Sequence, residues 1–306
     1  MAVTIVGEAM LEYHSSNARS GLCYGGDTLN TAIHLARLGH DVRYVTALGT
    51  DPVSDALVAA WRDEGIDTRF VLRHPERHPG IYAIHLDETG ERSFLYWRDN
   101  SAARDMFALP GMDAALEEAR ASRLLYYSLI TLAILPEQAR EALFGLAQSV
   151  RQRGGDVAYD SNYRTNLWTS AAEARAISAR AASGATIGLP TDGDECALAG
   201  EDLSEEEIAR RWLDLGCRDV VVKAGAEGCL FARQGEAAVH FPAEKLAMVD
   251  ASGAGDAFNA GYLSGWMNGG QTAAAIASGQ ALAGWVIRRS GAVPVRDDAA
   301  PYGAIA

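Results

Sequence analysis

The stretch Val249-Asp250-Ala251-Ser252-Gly253-Ala254-Gly255-Asp256-Ala257-Phe258 sets a run of small residues beside one carboxylate, just ahead of a helical pattern at 259–266. Small residues at 251–255 let the backbone turn sharply and bring successive N–H groups close to a ligand. A helix starting there aims unpaired amides and the positive end of its dipole at an anion, which suits a phosphate. Asp256 is the odd member. An acid in a first helical turn ordinarily caps it or complements the dipole, yet a carboxylate beside a bound phosphate repels it. Its presence makes sense if it takes the proton from a hydroxyl that attacks that phosphate. The expected chemistry is phosphoryl transfer to an alcohol, with Asp256 accepting its proton.

A second element near the N-terminus strengthens this. Tyr24-Gly25-Gly26-Asp27-Thr28-Leu29-Asn30-Thr31-Ala32 runs into a helix ending Leu35-Ala36-Arg37-Leu38-Gly39. Its glycines permit close approach of a polar ligand, and Asp27 and Asn30 offer an acceptor and a donor suited to sugar hydroxyls. Two common nucleotide motifs are absent. There is no GxxxxGK[ST] loop, and Gly7 after the first strand is followed by Glu8-Ala9 rather than the glycines of a dinucleotide fingerprint.

These segments need a scaffold. Apolar β-branched runs at 3–6, 42–47, 124–128, 157–160, 186–189 and 220–223 alternate with helical patterns at 28–38, 54–64, 112–121, 136–153, 171–182 and 205–215. Such alternation predicts βαβ units around a mostly parallel sheet. Between about 68 and 100 the rhythm breaks into RFVLR, GIYAIHLD, the turn Glu88-Thr89-Gly90-Glu91, and RSFLYWR. Turn residues flanked by alternating aromatics predict a hairpin. With 10–21, this segment is expected to form a small inserted β-sheet, placed as a lid over the carboxyl ends of the main strands, where open α/β sheets bind ligands. A homo-oligomer contact through the same lid is compatible with that role.

Composition narrows the partners. Lys and Arg number 27 against 40 Asp and Glu, a formal charge of −13, so neither nucleic acid nor an anionic membrane is an expected partner. Cys23, Cys196, Cys217 and Cys229 have no disulfide or zinc spacing. The N-terminus lacks a charged n-region and no apolar run approaches a membrane span of roughly 20 residues, so a cytoplasmic protein is expected. Trp61, Trp212, Trp266 and Trp285 sit on helical patterns and are expected to pack.

GGDTLN-x-A-x-x-LARLG near the start and D-x-S-GAGD-AF near the end resemble the two signatures of the ribokinase-like (PfkB-type) sugar kinases. The likeness covers essentially the whole chain. It implies one domain over 1–306, with a three-layer αβα body and the inserted β-sheet as lid. GGDTLN, GIYAIHLDETGERSFLYWR, DSNYR and the VVVK strand are similar to the branch that phosphorylates 2-keto-3-deoxygluconate. The implied reaction uses ATP and Mg²⁺ and modifies the 6-hydroxyl, giving 2-keto-3-deoxy-6-phosphogluconate.

Carried over by position, the resemblance makes Asp256 the catalytic base and the Gly253, Ala254 and Gly255 amides the anion hole for the γ-phosphate, and it places Gly26, Asp27 and Asn30 on substrate hydroxyls. Tyr82, Tyr96 and Arg98 reach the sugar acid from the lid, and Arg164 reaches it from the body. Asn162, Lys223, Gly225, Gly228, Ser252, Gly253, Gly255 and Gln280 fall on the nucleotide side. Glu195, in Asp192-Gly193-Asp194-Glu195, matches the acid of an N-x-x-E element that orders Mg²⁺ through water. An acidic substrate also has a physical argument: at −13 the chain repels a carboxylate, so arginines such as Arg98 and Arg164 must converge locally to hold it. Two rivals remain open. One is a kinase of a neutral sugar or nucleoside such as fructose, ribose or adenosine; the other is a non-catalytic sugar-binding regulator.

Overall fold

The computed structural model describes residues 2–14, 23–86 and 92–305. Along the chain its first elements are β1 (Val3–Val6), β2 (Met10–His14), β3 (Cys23–Gly25), α1 (Asp27–Arg37), β4 (Val42–Leu48), α2 (Pro52–Asp63) and β5 (Val71–Arg73). There follow β6 (Gly80–Leu86), β7 (Arg92–Trp97), α3 (Met112–Ala119), β8 (Leu124–Ser128), α4 (Leu129–Ile134), α5 (Glu137–Gln152) and β9 (Asp156–Asp160). The last part holds α6 (Ala171–Gly184), β10 (Ile187–Gly188), α7 (Asp192–Ala199), α8 (Glu205–Leu215), β11 (Asp219–Lys223), β12 (Cys229–Arg233), β13 (Val239–Phe241), α9 (Ala254–Met267), α10 (Thr272–Ile287) and α11 (Tyr302–Ile305).

Nine strands form the body sheet in the order β13-β12-β11-β10-β9-β8-β1-β4-β5. The run from β11 to β5 is parallel, and β12 and β13 add an antiparallel edge. Its central parallel strands are buried on both faces, as parallel strands under helical layers must be. Alternation divides them between two cores: Leu125 and Tyr127 pack with α5 and α6, while Leu124 and Tyr126 pack with α1, α9 and α10. Trp61, Trp212 and Trp285 are fully buried in these cores and Trp266 packs at the rim. No helix among the described residues is long and apolar enough to cross a membrane.

The second sheet has the order β3-β2-β6-β7, in which β2 pairs parallel with β6 and the other pairs are antiparallel. It lies over the carboxyl end of β1. Two boundaries differ from the sequence reading. RFVLR belongs to the body, because β5 pairs with β4 and not with the lid; its Val71 and Leu72 are both buried. The lid gains instead a short strand, β3, that ends at the glycine pair opening α1. Residues 15–21 and the turn 88–91, both assigned to the lid from sequence, lie outside the described residues.

Candidate active site

A cavity of about 1110 Å³ opens between the lid and the carboxyl ends of the parallel strands. Its walls carry Gly26, Asp27, Asn30, Tyr82, Tyr96 and Arg98, and also Asn162, Arg164, Lys223, Ser252 and the Gly253–Asp256 turn. The two segments singled out from the sequence therefore face one space.

The turn before α9 is built as expected. Gly253 caps the helix with φ of 70°, a left-handed conformation, and a Cβ there would lie 2.4 Å from that of Ala292. Only glycine fits. The Ser252 amide is held by Asp250 Oδ1 at 2.9 Å, and Asp250 Oδ2 accepts from the Gly291 amide at 2.7 Å, so the turn is tied to the 290–292 loop. The Ala254 amide makes a 3.3 Å bond to Ala251 O, while first-turn amides beyond it have no intrahelical acceptor. Gly255 is exposed to the cavity and Asp256 is buried beside it.

Asp256 Oδ2 accepts from Asn30 Nδ2 at 2.8 Å, which joins α9 to α1 across the sequence. Burial raises its pKa to about 7, with the Asp27 carboxylate adding to the rise; the Asn30 bond and Lys223 work against it. A buried acid titrating near neutrality is poised to accept a proton. Asp27 is likewise shifted upward by burial, and its Oδ2 accepts from Asn162 Nδ2 at 2.9 Å. Asn162 thus stands on Asp27, on the side of the cavity read as the sugar's.

The lid contributes its inner face: Met10, Glu12, Tyr82, Ile84 and Tyr96 border the cavity. Tyr82 and Tyr96 are cross-strand partners with ring centroids 6.1 Å apart. The Tyr82 hydroxyl donates to Glu12. Arg98 is almost fully buried and paired through Nη2 with Glu8. Arg164 is half exposed, donating from Nη1 to Tyr163 O at 2.7 Å and to Asp194 Oδ1 at 3.3 Å. The two arginines do reach one cavity, but each arrives with an acidic partner that composition alone did not reveal.

Lys223 departs most from its expected place on the nucleotide side. Its Nζ is buried, donating to Asp160 Oδ2 and to Asn259 Oδ1, both at 3.1 Å. Asn259 Nδ2 donates in turn to Asp160 Oδ2 at 2.7 Å. A Cβ on Gly255 would lie 3.7 Å from that ammonium, so the cation sits under the first turn of α9. Gly225 and Gly228 shape the turn after β11, where a Cβ at Gly228 would come within 2.1 Å of Phe241 O. Gln280 Nε2 donates to Phe241 O and Pro242 O at 3.2 and 3.1 Å. Neither glycine nor Gln280 borders the cavity between lid and body.

Among the described residues no three His, Cys, Asp or Glu side chains are grouped to hold a metal ion. The donor set fits a magnesium carried mainly by nucleotide phosphates and water, which is how that ion usually binds. Asp194 reaches the cavity wall. Glu195 points into packing, where burial raises its pKa and Oε1 has no hydrogen-bond partner. Glu8, Glu12, Asp160 and Asn259 were not singled out from the sequence. A carboxylate directly after the first strand was the one available sign of Glu8; the others show only once the strands are aligned.

The chain belongs to the pfkB family of carbohydrate kinases, whose model matches residues 11–298. It is 40% identical over 298 residues to the 2-dehydro-3-deoxygluconokinase of Dickeya dadantii, covering 95% of this chain and 96% of that protein. Identity to the protein of the same name from Escherichia coli K12 is 39% over 302 residues, covering 96% and 97%. Among solved structures, the aminoimidazole riboside kinase of Salmonella enterica, complexed with aminoimidazole riboside and an ATP analog, superposes with a TM-score of 0.83. That likeness has 26% identity and covers 100% of this chain and 99% of the other.

Proposed function

We propose that the protein is a cytoplasmic kinase that transfers the γ-phosphoryl group of ATP to the 6-hydroxyl of 2-keto-3-deoxygluconate (2-dehydro-3-deoxygluconate). The observation that carries this reading is the placement of Asp256. It is a buried acid titrating near 7, on the same wall as an N-terminal helical turn of small residues and under a lid that brings an arginine. Relatives of the named activity at 40% and 39% identity support the choice of substrate.

In the proposed reaction Gly26, Asp27 and Asn30 orient the sugar, and Tyr82, Tyr96, Arg98 and Arg164 surround its carboxylate end. Asp256 takes the proton as the hydroxyl oxygen forms its bond to γ-phosphorus and the bond from that phosphorus to the leaving ADP oxygen breaks. The Gly253, Ala254 and Gly255 amides stabilise charge on the equatorial oxygens. Magnesium would neutralise charge on the nucleotide phosphates, with Asp194 at the cavity wall in reach through water and Glu195 packed behind it. Lid closure excludes water that would otherwise take the phosphoryl group.

A coupled ADP-release assay over the keto acid, fructose, ribose, adenosine and aminoimidazole riboside tests the reading. Turnover on the keto acid at least tenfold above the others is expected. Preference for a neutral substrate replaces the substrate assignment, and no turnover with any of them favours a sugar-binding regulator. Arg164→Ala should raise KM for the keto acid about tenfold, the loss of one charge-assisted contact at a half-exposed site, and leave KM for ATP within about twofold. An equal loss for both substrates removes Arg164 from the carboxylate.

The same reading includes self-association through the outer face of the lid. Tyr13, Ile81 and Trp97 lie on that face at 63%, 39% and 60% exposure, with Ile81 and Trp97 in register. Contiguous exposed apolar surface of this kind marks an interface. Trp97→Glu should convert an oligomer to monomer in sedimentation velocity; a wild-type monomer at micromolar concentration would end that part of the proposal.

A further inference from the structure

The lid joins the body through four chain crossings: into β2 at 7–9, out of β3 at 25–26, into β6 at 79–80 and out of β7 at 97–98. Glu8 lies at the first, and the other three converge on it. A Cβ on Gly26 would fall 2.4 Å from Glu8 O, and one on Gly80 would fall 3.1 Å from Glu8 Oε1 and 3.2 Å from Arg98 Cβ. Arg98, at the fourth crossing, pairs with Glu8 Oε2. Both side chains are nearly inaccessible, at 1% for Glu8 and 7% for Arg98, and both residues border the cavity. The pair is incomplete as it stands: Glu8 Oε1 and Arg98 Nε are buried without a hydrogen-bond partner.

We infer that Glu8 is a positioning residue that acts through Arg98. It sits in the slot left by Gly80, anchors the guanidinium at the point where the lid leaves the body, and leaves the free Nη1 end of Arg98 for the substrate carboxylate. A guanidinium on a flexible stem loses rotamer freedom when it binds a ligand. One already fixed by a buried carboxylate has lost that freedom before substrate arrives, which is preorganisation of the contact. The pair also joins the start of the lid to its end, so the inner face of β6 and β7 keeps its distance from the glycine-pair turn. Breaking a buried pair from one side is costly, because the other charge is left uncompensated. Here that charge has a second candidate partner only when the sugar acid is bound.

This inference rests on the proposed substrate, and the test separates the two. Steady-state ADP release is measured for wild type, Glu8→Gln, Arg98→Gln and the double variant, with direct calorimetric binding of the keto acid alongside. Glu8→Gln should raise KM and Kd for the keto acid at least tenfold, with kcat within about threefold and KM for ATP unchanged. On the Arg98→Gln background the same change should add less than twofold, since residues that act through one another are not additive. A wild-type KM in Glu8→Gln, or a full tenfold effect on the Arg98→Gln background, overturns the inference. If Glu8→Gln does not fold, Glu8→Gln/Arg98→Met replaces the pair with an uncharged contact and is compared with Arg98→Met; equal KM values support the inference and a further rise overturns it. Absence of wild-type turnover on the keto acid sinks the substrate reading instead. The same comparison on the sugar that wild type does accept then decides the role of Glu8.

Discussion

Asp256→Asn is expected to lower kcat by roughly 10² or more, as loss of a positioned general base does, while Kd for the sugar stays within about threefold. The change is nearly isosteric, and Asn30 Nδ2, now 2.8 Å from Oδ2, retains an oxygen to bond. What is lost is the proton acceptor. Stability should move the other way. The folded-state pKa of about 7 is raised above the carboxylate reference of 3.8, so between those values the native protein holds a proton that the unfolded chain has released. A group of this sign favours folding most below its unfolded pKa, and that benefit disappears as pH rises through about 7. Above pH 7 the buried charge opposes folding, so the Asn variant should unfold at a temperature no lower than wild type at pH 8. The wild-type pH profile follows from the same group: kcat/KM rises with unit slope to about pH 7 and then levels. Turnover within threefold of wild type, or a profile flat from pH 5.5 to 8, removes Asp256 from proton transfer.

The parts of this site that were legible in the sequence share a cause. Gly25-Gly26-Asp27 and Gly253-Ala254-Gly255-Asp256 combine residues whose backbone requirement is local with an acid whose placement makes no sense otherwise, so type and spacing alone pointed to chemistry. The body strands were legible for the same reason: runs such as Leu124–Ser128 are apolar on both faces, which only burial between helical layers explains. Features set by distant pairing were not. RFVLR reads as one more lid strand because it adjoins the lid in sequence, yet its hydrogen bonds go to β4. The helix α10 is small and apolar nearly all round (TAAAIASGQALAGWVI), so it shows no amphipathic period to detect. The acidic partners of Arg98 and Arg164, at positions 8 and 194, come from elements 90 and 30 residues away, and no local pattern announces them.

Lys223 is where the distinction between a nucleotide ligand and a buried counter-charge has the largest measurable consequence. Asp27, Asp160 and Asp256 gather on one wall of the cavity, and Lys223 is a cation that bears on both Asp160, by direct contact, and Asp256, whose pKa it lowers. Lys223→Met keeps the length and volume of the side chain and removes the charge. Two effects are expected together. Asp160 loses a partner in a buried pair, so unfolding should become easier by about 3–5 kcal/mol. The restraint on Asp256 is also lost, so its proton is held more tightly and the rise in kcat/KM moves to higher pH. At pH 7 that shift alone lowers activity, and raising the pH recovers it. A lysine that served only the nucleotide would instead raise KM for ATP at every pH and leave the position of the rise where it was. The pH at which activity climbs, rather than the size of the loss, therefore separates the two roles. If Lys223→Met proves too unstable to assay, Asn259→Ala removes one of the two acceptors from the ammonium and leaves Asp160 in place. A smaller upward shift of the same profile is expected there, and a downward or absent shift in a folded variant counts against Lys223 as the group that keeps Asp256 within working range.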